Sequence, residues 1–163
     1  MKVLAIDPGY ARIGFAVLLK ENGVITLIHS ECFETKMNTA YKTRLVQVGK
    51  HLEHLIQNYK PEQAAIENLF FAKNKKTAMQ VAEVRGICIY QAEKQGVSVT
   101  EHTPNQVKSA ITGNGNANKE QIMRMIPHLL QIKKTDKKRV DDEYDAIAIG
   151  ITHLVTHKAQ RNK

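Results

Sequence analysis

Four acids stand where packing alone has little use for them. Asp7 closes the opening apolar run Val3 to Ile6, Glu67 follows Ala64-Ala65-Ile66, and Asp142 and Asp145 precede an apolar stretch that continues to Leu154. In an extended segment Val3, Ala5 and Asp7 share one face, so the first carboxylate lands at a strand end, where Pro8-Gly9 turns the chain. Glu67 ends a second apolar segment in the same way, and Asp142 and Asp145, three positions apart, share one helix face. If the strand ending in Glu67 returns beside the first, as a crossover connection favours, all four point into one cleft. Two like charges about 4 Å apart repel by about 4 kcal/mol at an effective dielectric of 20, so such a cluster demands positive charge. With no cysteine and no paired histidine nearby, the donors are oxygens, which suit Mg²⁺ or Mn²⁺ better than zinc. Two such ions balance four carboxylates and form the arrangement that activates water and stabilises the leaving oxygen in phosphodiester hydrolysis. Each acid also has a purely structural reading. Aspartate before Pro-Gly is a common turn residue, and acids in a first helical turn complement the dipole, a description that suits Asp141 and Glu143 as dipole or solvent acids. Glu67 has no comparable excuse, because the residues before it read as buried.

The elements that must position these acids fit one domain of 163 residues, of which 42% are hydrophobic. Val3 to Ile6, Ile13 to Leu19 and Val24 to Phe33 predict a three-strand antiparallel meander punctuated by Pro8-Gly9 and Asn22-Gly23. Leu45, Val48, Leu52, Leu55 and Ile56 recur at helical spacing between Thr39 and Tyr59, before Lys60-Pro61. A parallel strand over 62–67, a helix from about Thr77 to Gln95 and a fifth strand over Val97 to Glu101 follow. Two shorter helices, Pro104 to Ile111 and Lys119 to Leu130, flank the Gly-Asn segment 112–118, and a last helix begins near Asp142. The expectation is an α/β unit over 1–157, with a mixed five-stranded sheet flanked by helices and a basic frayed tail over 158–163. The helix from Thr77 to Gln95 is apolar around more than one face and carries Gly86, which permits close backbone approach. That pattern suits either a two-fold contact between subunits or a helix wholly inside one protomer's core.

Charge narrows the partners. Twenty-four Lys and Arg against 16 acids give a net charge of +8, which favours a polyanion, though a merely soluble basic surface has the same composition. Cys32 and Cys88 form neither a disulfide scaffold nor a zinc pair and read as reduced, structural thiols. An acid at position 7 interrupts any signal-like run, and no apolar stretch approaches the roughly 18 residues of a membrane span, so a cytoplasmic protein with no membrane contact is expected.

In order along the chain, IDPG with Gly14 following, AIENLFFAKN, EVRG and DDEYDAIAIGITH closely resemble the RuvC family of Holliday-junction resolvases, over nearly the whole length. The resemblance implies a ribonuclease H-like fold, a homodimer, and paired, symmetric, metal-dependent nicks across four-way junction DNA in recombination and repair. It matches Asp7, Glu67, Asp142 and Asp145 to the family's catalytic, metal-holding carboxylates, and the three-residue spacing selects Asp142 over Asp141 as the third member. It places Phe70 as the aromatic that engages unpaired bases, with Phe71 as a second stacker. Lys108 matches the lysine of the family's QVK motif and Lys119 the one closing its glycine-rich loop; these, with Lys73, Lys75 and Lys76 directly after the aromatics, are expected to hold phosphates, and branch-migration machinery is an implied partner. Both phenylalanines also fit a core after a buried strand, and Lys75, Lys76 and the run Lys133 to Arg139 equally fit solvated charge. The loop TGNGNANK is richer in asparagine than the usual family loop and leaves base preference open. The rival readings are a non-catalytic junction-binding scaffold and a related nuclease acting on flaps or structured RNA. His153 is assigned no role.

Overall fold

In a computed structural model residues 1–36, 38–68, 75–132 and 139–157 are described. The opening meander consists of β1 (Lys2–Asp7), β2 (Arg12–Glu21) and β3 (Val24–Glu34), followed by α1 (Tyr41–Tyr59), β4 (Gln63–Glu67), α2 (Lys75–Lys94) and β5 (Ser98–His102). Then come α3 (Pro104–Thr112), α4 (Lys119–Leu129), β6 (Gln131–Ile132) and α5 (Asp141–Thr156). All five expected strands are present, and the two-residue β6 joins them at an edge. The sheet order is β5-β4-β1-β2-β3-β6, antiparallel for β1·β2 and β2·β3 and parallel for β1·β4, β4·β5 and β3·β6.

Local chemistry accounts for the meander. Asn22 and Gly23 both have positive φ, 50° and 81°, the conformation of a two-residue hairpin whose twist suits the flanking strands. Between β2 and β3 the register passes from Val17↔His29 to Leu18↔Leu27, leaving Ile28 as a bulge residue that keeps apolar side chains inward on both sides of it.

Strand alternation builds two cores. Val3, Ala5, Ala16, Leu18 and Ala65 face α5, α3 and α4, where Val107, Ile111, Ile126, Ile147 and Ile151 complete one cluster. Leu4, Ile6, Phe15, Val17 and Ile66 face α1 and α2, meeting Leu52, Leu55, Val84 and Cys88. The sheet is thus the middle of three layers, and the small residues Ala5 and Ala65 let α5 lie close on the ends of β1 and β4. Among the described residues, no helix is long and apolar enough to cross a membrane.

Candidate active site

Two strand ends and one helix start build the site. The parallel register Ile6↔Ile66 brings Asp7 and Glu67, the next residues, to the same edge of the sheet, and alternation turns both toward α5 with Ala5 and Ala65. There α5 begins, with Asp145 in its second turn. Asp7, Glu67 and Asp145 line a pocket of about 310 Å³ together with Lys108, Asn118 and Lys119. Lys108 comes from α3, which Thr103 and Gln106 start with a reciprocal capping box. Lys119 follows Asn118, whose side chain forms the equivalent box with Gln121 at the start of α4.

The asparagine-rich connection between these helices is a chain of local turns. Thr112 Oγ1 accepts from the Asn114 N–H at 3.1 Å, and Asn114 Oδ1 accepts from the Asn116 N–H at 2.9 Å. Asn114, with Thr112, shapes the loop that delivers Lys119, which gives part of its asparagine content a structural purpose.

Electrostatics sets the pocket's demand. Burial, reinforced by Asp145, Glu67 and Asp142, pushes the Asp7 carboxyl up to about 8. Burial and Asp145 push Glu67 up to about 7, against the pull of Lys108. Asp145 is also raised by burial, opposed by Lys119, whose Nζ lies 2.8 Å from Asp145 Oδ2 and 3.5 Å from Asp141 Oδ2. Lys108 and Lys119 therefore do not offset the burial and mutual repulsion of these carboxylates, and a donor set made only of oxygens fits hard divalent cations. Among the described residues, no three His, Cys, Asp or Glu side chains are already arranged as a metal cage, in keeping with acids that repel one another and with a lysine taking one of them.

Asp142 is placed differently from its three companions. It does not line the pocket; its Oδ2 accepts from Arg12 Nη2 at 2.6 Å and lies 3.8 Å from Cys32 Sγ. Gly14 permits this approach, since a Cβ there would stand 2.0 Å from the Asp142 carbonyl oxygen. Asp141 remains a surface acid near Lys119. Glu143 departs from the expected solvent acid: it is 2% exposed and accepts from Ser30 Oγ at 2.7 Å, although it still caps the start of α5 through the Val140 N–H.

Phe70, Phe71 and Lys73 lie outside the described residues, as do Lys133 to Lys138 and the tail over 158–163, and Lys75 and Lys76 are described only as the backbone that opens α2. Sequence reasoning missed Arg12 and assigned no contact to Arg85. Arg85 donates to the Glu67 carbonyl at 3.3 Å and pairs with Glu101 at 2.5 Å, fastening the end of β4 to α2. Position 12, a basic residue opening a strand just after an acid-bearing turn, was the only available hint of the first.

The sequence profile described as crossover junction endodeoxyribonuclease RuvC matches residues 3–153. A crossover junction endodeoxyribonuclease RuvC of Petrotoga mobilis is 41% identical over 153 residues, covering 94% of this chain and 93% of that protein. One from Caldanaerobacter subterraneus is 42% identical over 153 residues, 94% of this chain and 92% of its own. The structure of Thermus thermophilus RuvC in complex with a Holliday junction substrate superposes with a TM-score of 0.85 at 31% identity, covering 94% of this chain and 93% of that one.

Proposed function

The chain belongs to the RuvC family of crossover junction endodeoxyribonucleases, and from that premise we propose that it resolves four-way (Holliday) DNA junctions by paired, symmetric, metal-dependent hydrolysis of phosphodiester bonds in recombination and repair. The observation that carries the mechanism is the meeting of Asp7, Glu67 and Asp145 in one pocket with Lys108 and Lys119.

In this reading Asp7, Glu67, Asp142 and Asp145 hold magnesium, two ions per site, with manganese able to substitute. Bound there, the cations supply Lewis acidity to water and to the scissile phosphate. Asp7 and Glu67 stay fixed because they end buried strands, and Arg85 holds the β4 terminus. Lys108 and Lys119 bind the phosphates flanking the scissile bond, and Lys119 exchanges Asp145 for phosphate as DNA arrives. One of Phe70 and Phe71 stacks on bases opened at the junction centre, while Lys73, Lys75 and Lys76 hold the adjoining backbone.

Paired nicks call for two sites related by a two-fold axis, and α2 supports a homodimer. Met79, Gly86 and Tyr90 share one face of that helix, with Met79 75% and Tyr90 62% exposed, and the space around Gly86 is open. Exposed Met79 and Tyr90 flank Gly86 on a face that also carries exposed Glu83, and the glycine suits close antiparallel packing of two copies. A branch-migration complex in the cytoplasm completes the proposed setting.

The test is a substrate panel: labelled four-way junction, duplex, flap and structured RNA, each with Mg²⁺. Nicks at symmetric positions on opposing strands of the junction, with the other substrates cut at least about tenfold more slowly, are expected. Equal cutting of flaps or RNA would remove the junction assignment.

A further inference from the structure

The ion pair that draws Asp142 aside involves a residue with no part in the pocket. Arg12 opens β2 and faces Glu34, its register partner on β3. Its Nη2 is 2.6 Å from Asp142 Oδ2 and its Nε is 3.4 Å from Glu34 Oε1. Cys32, on the next β3 position facing the same way as Glu34, adds a weak thiol contact to the same Asp142 oxygen at 3.8 Å. Asp145, one turn further along α5, lines the pocket with Asp7 and Glu67 instead. One helix face therefore presents two acids, of which one is offered to the pocket and the other is held over the β2–β3 surface.

We propose that Arg12 is a positioning residue that withholds Asp142 from the carboxylate pocket and so sets how much divalent cation the site demands. The inference rests on the reading that these carboxylates hold metal. A charge-assisted guanidinium–carboxylate bond is the strong form of hydrogen bond, so a cation that recruits Asp142 must displace Arg12 from it. Arg12 is nearly half exposed, free to swing into solvent or onto a DNA phosphate once Asp142 lets go. Lys119 differs from it in lining the pocket itself. Arg12 acts only through Asp142, and removing it leaves that acid with a cation as its natural partner.

The experiment is Mn²⁺ binding by electron paramagnetic resonance on the full chain without DNA, for wild type, Arg12→Gln, Arg12→Lys, Asp142→Asn, the Arg12→Gln/Asp142→Asn double variant and Glu67→Gln, with thermal melts confirming folded protein. Arg12→Gln should bind Mn²⁺ about fivefold tighter, the worth of one exposed ion pair, and Arg12→Lys should stay near wild type. In the Asp142→Asn background the gain should vanish, because the effect passes through that carboxylate. Unchanged or weaker binding by Arg12→Gln overturns the proposal, as does a gain that persists without Asp142, which would mark a general charge effect. If Glu67→Gln leaves wild-type Mn²⁺ binding intact, the metal-site reading itself fails, an outcome distinct from the failure of Arg12 alone.

Discussion

His153 is 1% exposed and sits in a chain of polar side chains beneath the site. Its Nε2 lies 2.7 Å from Gln63 Oε1 and its Nδ1 3.2 Å from His102 Nε2, so a neutral ring that donates to Gln63 and accepts from His102 satisfies both nitrogens. Burial, with His102 and His157 adding repulsion, lowers its pKa to about 4. The unfolded chain, whose histidine titrates near 6.5, then binds the proton first as pH falls. The stability due to a neutral His153 is present above about pH 6.5 and is lost progressively toward pH 4, by up to about 3 kcal/mol. Urea unfolding at several pH values should show that slope in wild type and a clearly shallower one in His153→Gln; equal slopes would contradict the assignment. At this scale Asp7 and Glu67 were legible because each acid ends an apolar run, a local pattern. Arg12 was not, since its partner Asp142 lies far along the chain and 24 Lys and Arg compete for attention. Glu143 was misplaced for the same reason: its burial depends on α5 reaching Ser30 of β3.

Among the elements, the crossing of β2 by the start of α5 is the tightest constraint on the site. A Cβ at Gly14 would lie 2.0 Å from the carbonyl oxygen of Asp142, 2.7 Å from its carbon and 3.3 Å from the Ala146 Cβ, and backbone cannot yield as a flexible side chain does. Gly14→Ala should therefore move the helix start, cost about 1–3 kcal/mol in stability and slow junction cleavage at least about tenfold by displacing Asp142 and Asp145. Urea melts and junction assays check both, and wild-type values in each would show that the approach is looser than described. The meander and the crossover helices could be read from periodicity and from the Asn22-Gly23 turn. Two features could not: β6, with two residues, carries no alternation, and the Ile28 bulge arises from pairing between strands. The start of α2 lay two residues before the expected one, within the usual uncertainty of helix boundaries.

At the scale of the whole molecule, a chain of net charge +8 gathers Asp7, Glu67 and Asp145 into one pocket at the ends of its inner strands β1 and β4, where like charges repel an anion unless cations neutralise them. α2, the helix of the proposed dimer contact, packs on the opposite layer from α5, so that contact would leave both pockets uncovered. The sequence made the two strand-end acids and the layer order legible, whereas the division of the acids between pocket and Arg12 required the packed structure. The central claim, that these carboxylates cut through bound cations and are not needed to hold DNA, is tested most directly by one comparison. Junction affinity and junction cleavage are measured side by side in Mg²⁺ for wild type and Glu67→Gln. Affinity within about threefold of wild type, together with cleavage reduced at least about a thousandfold, is the predicted result. Cleavage persisting within about tenfold of wild type would contradict the account.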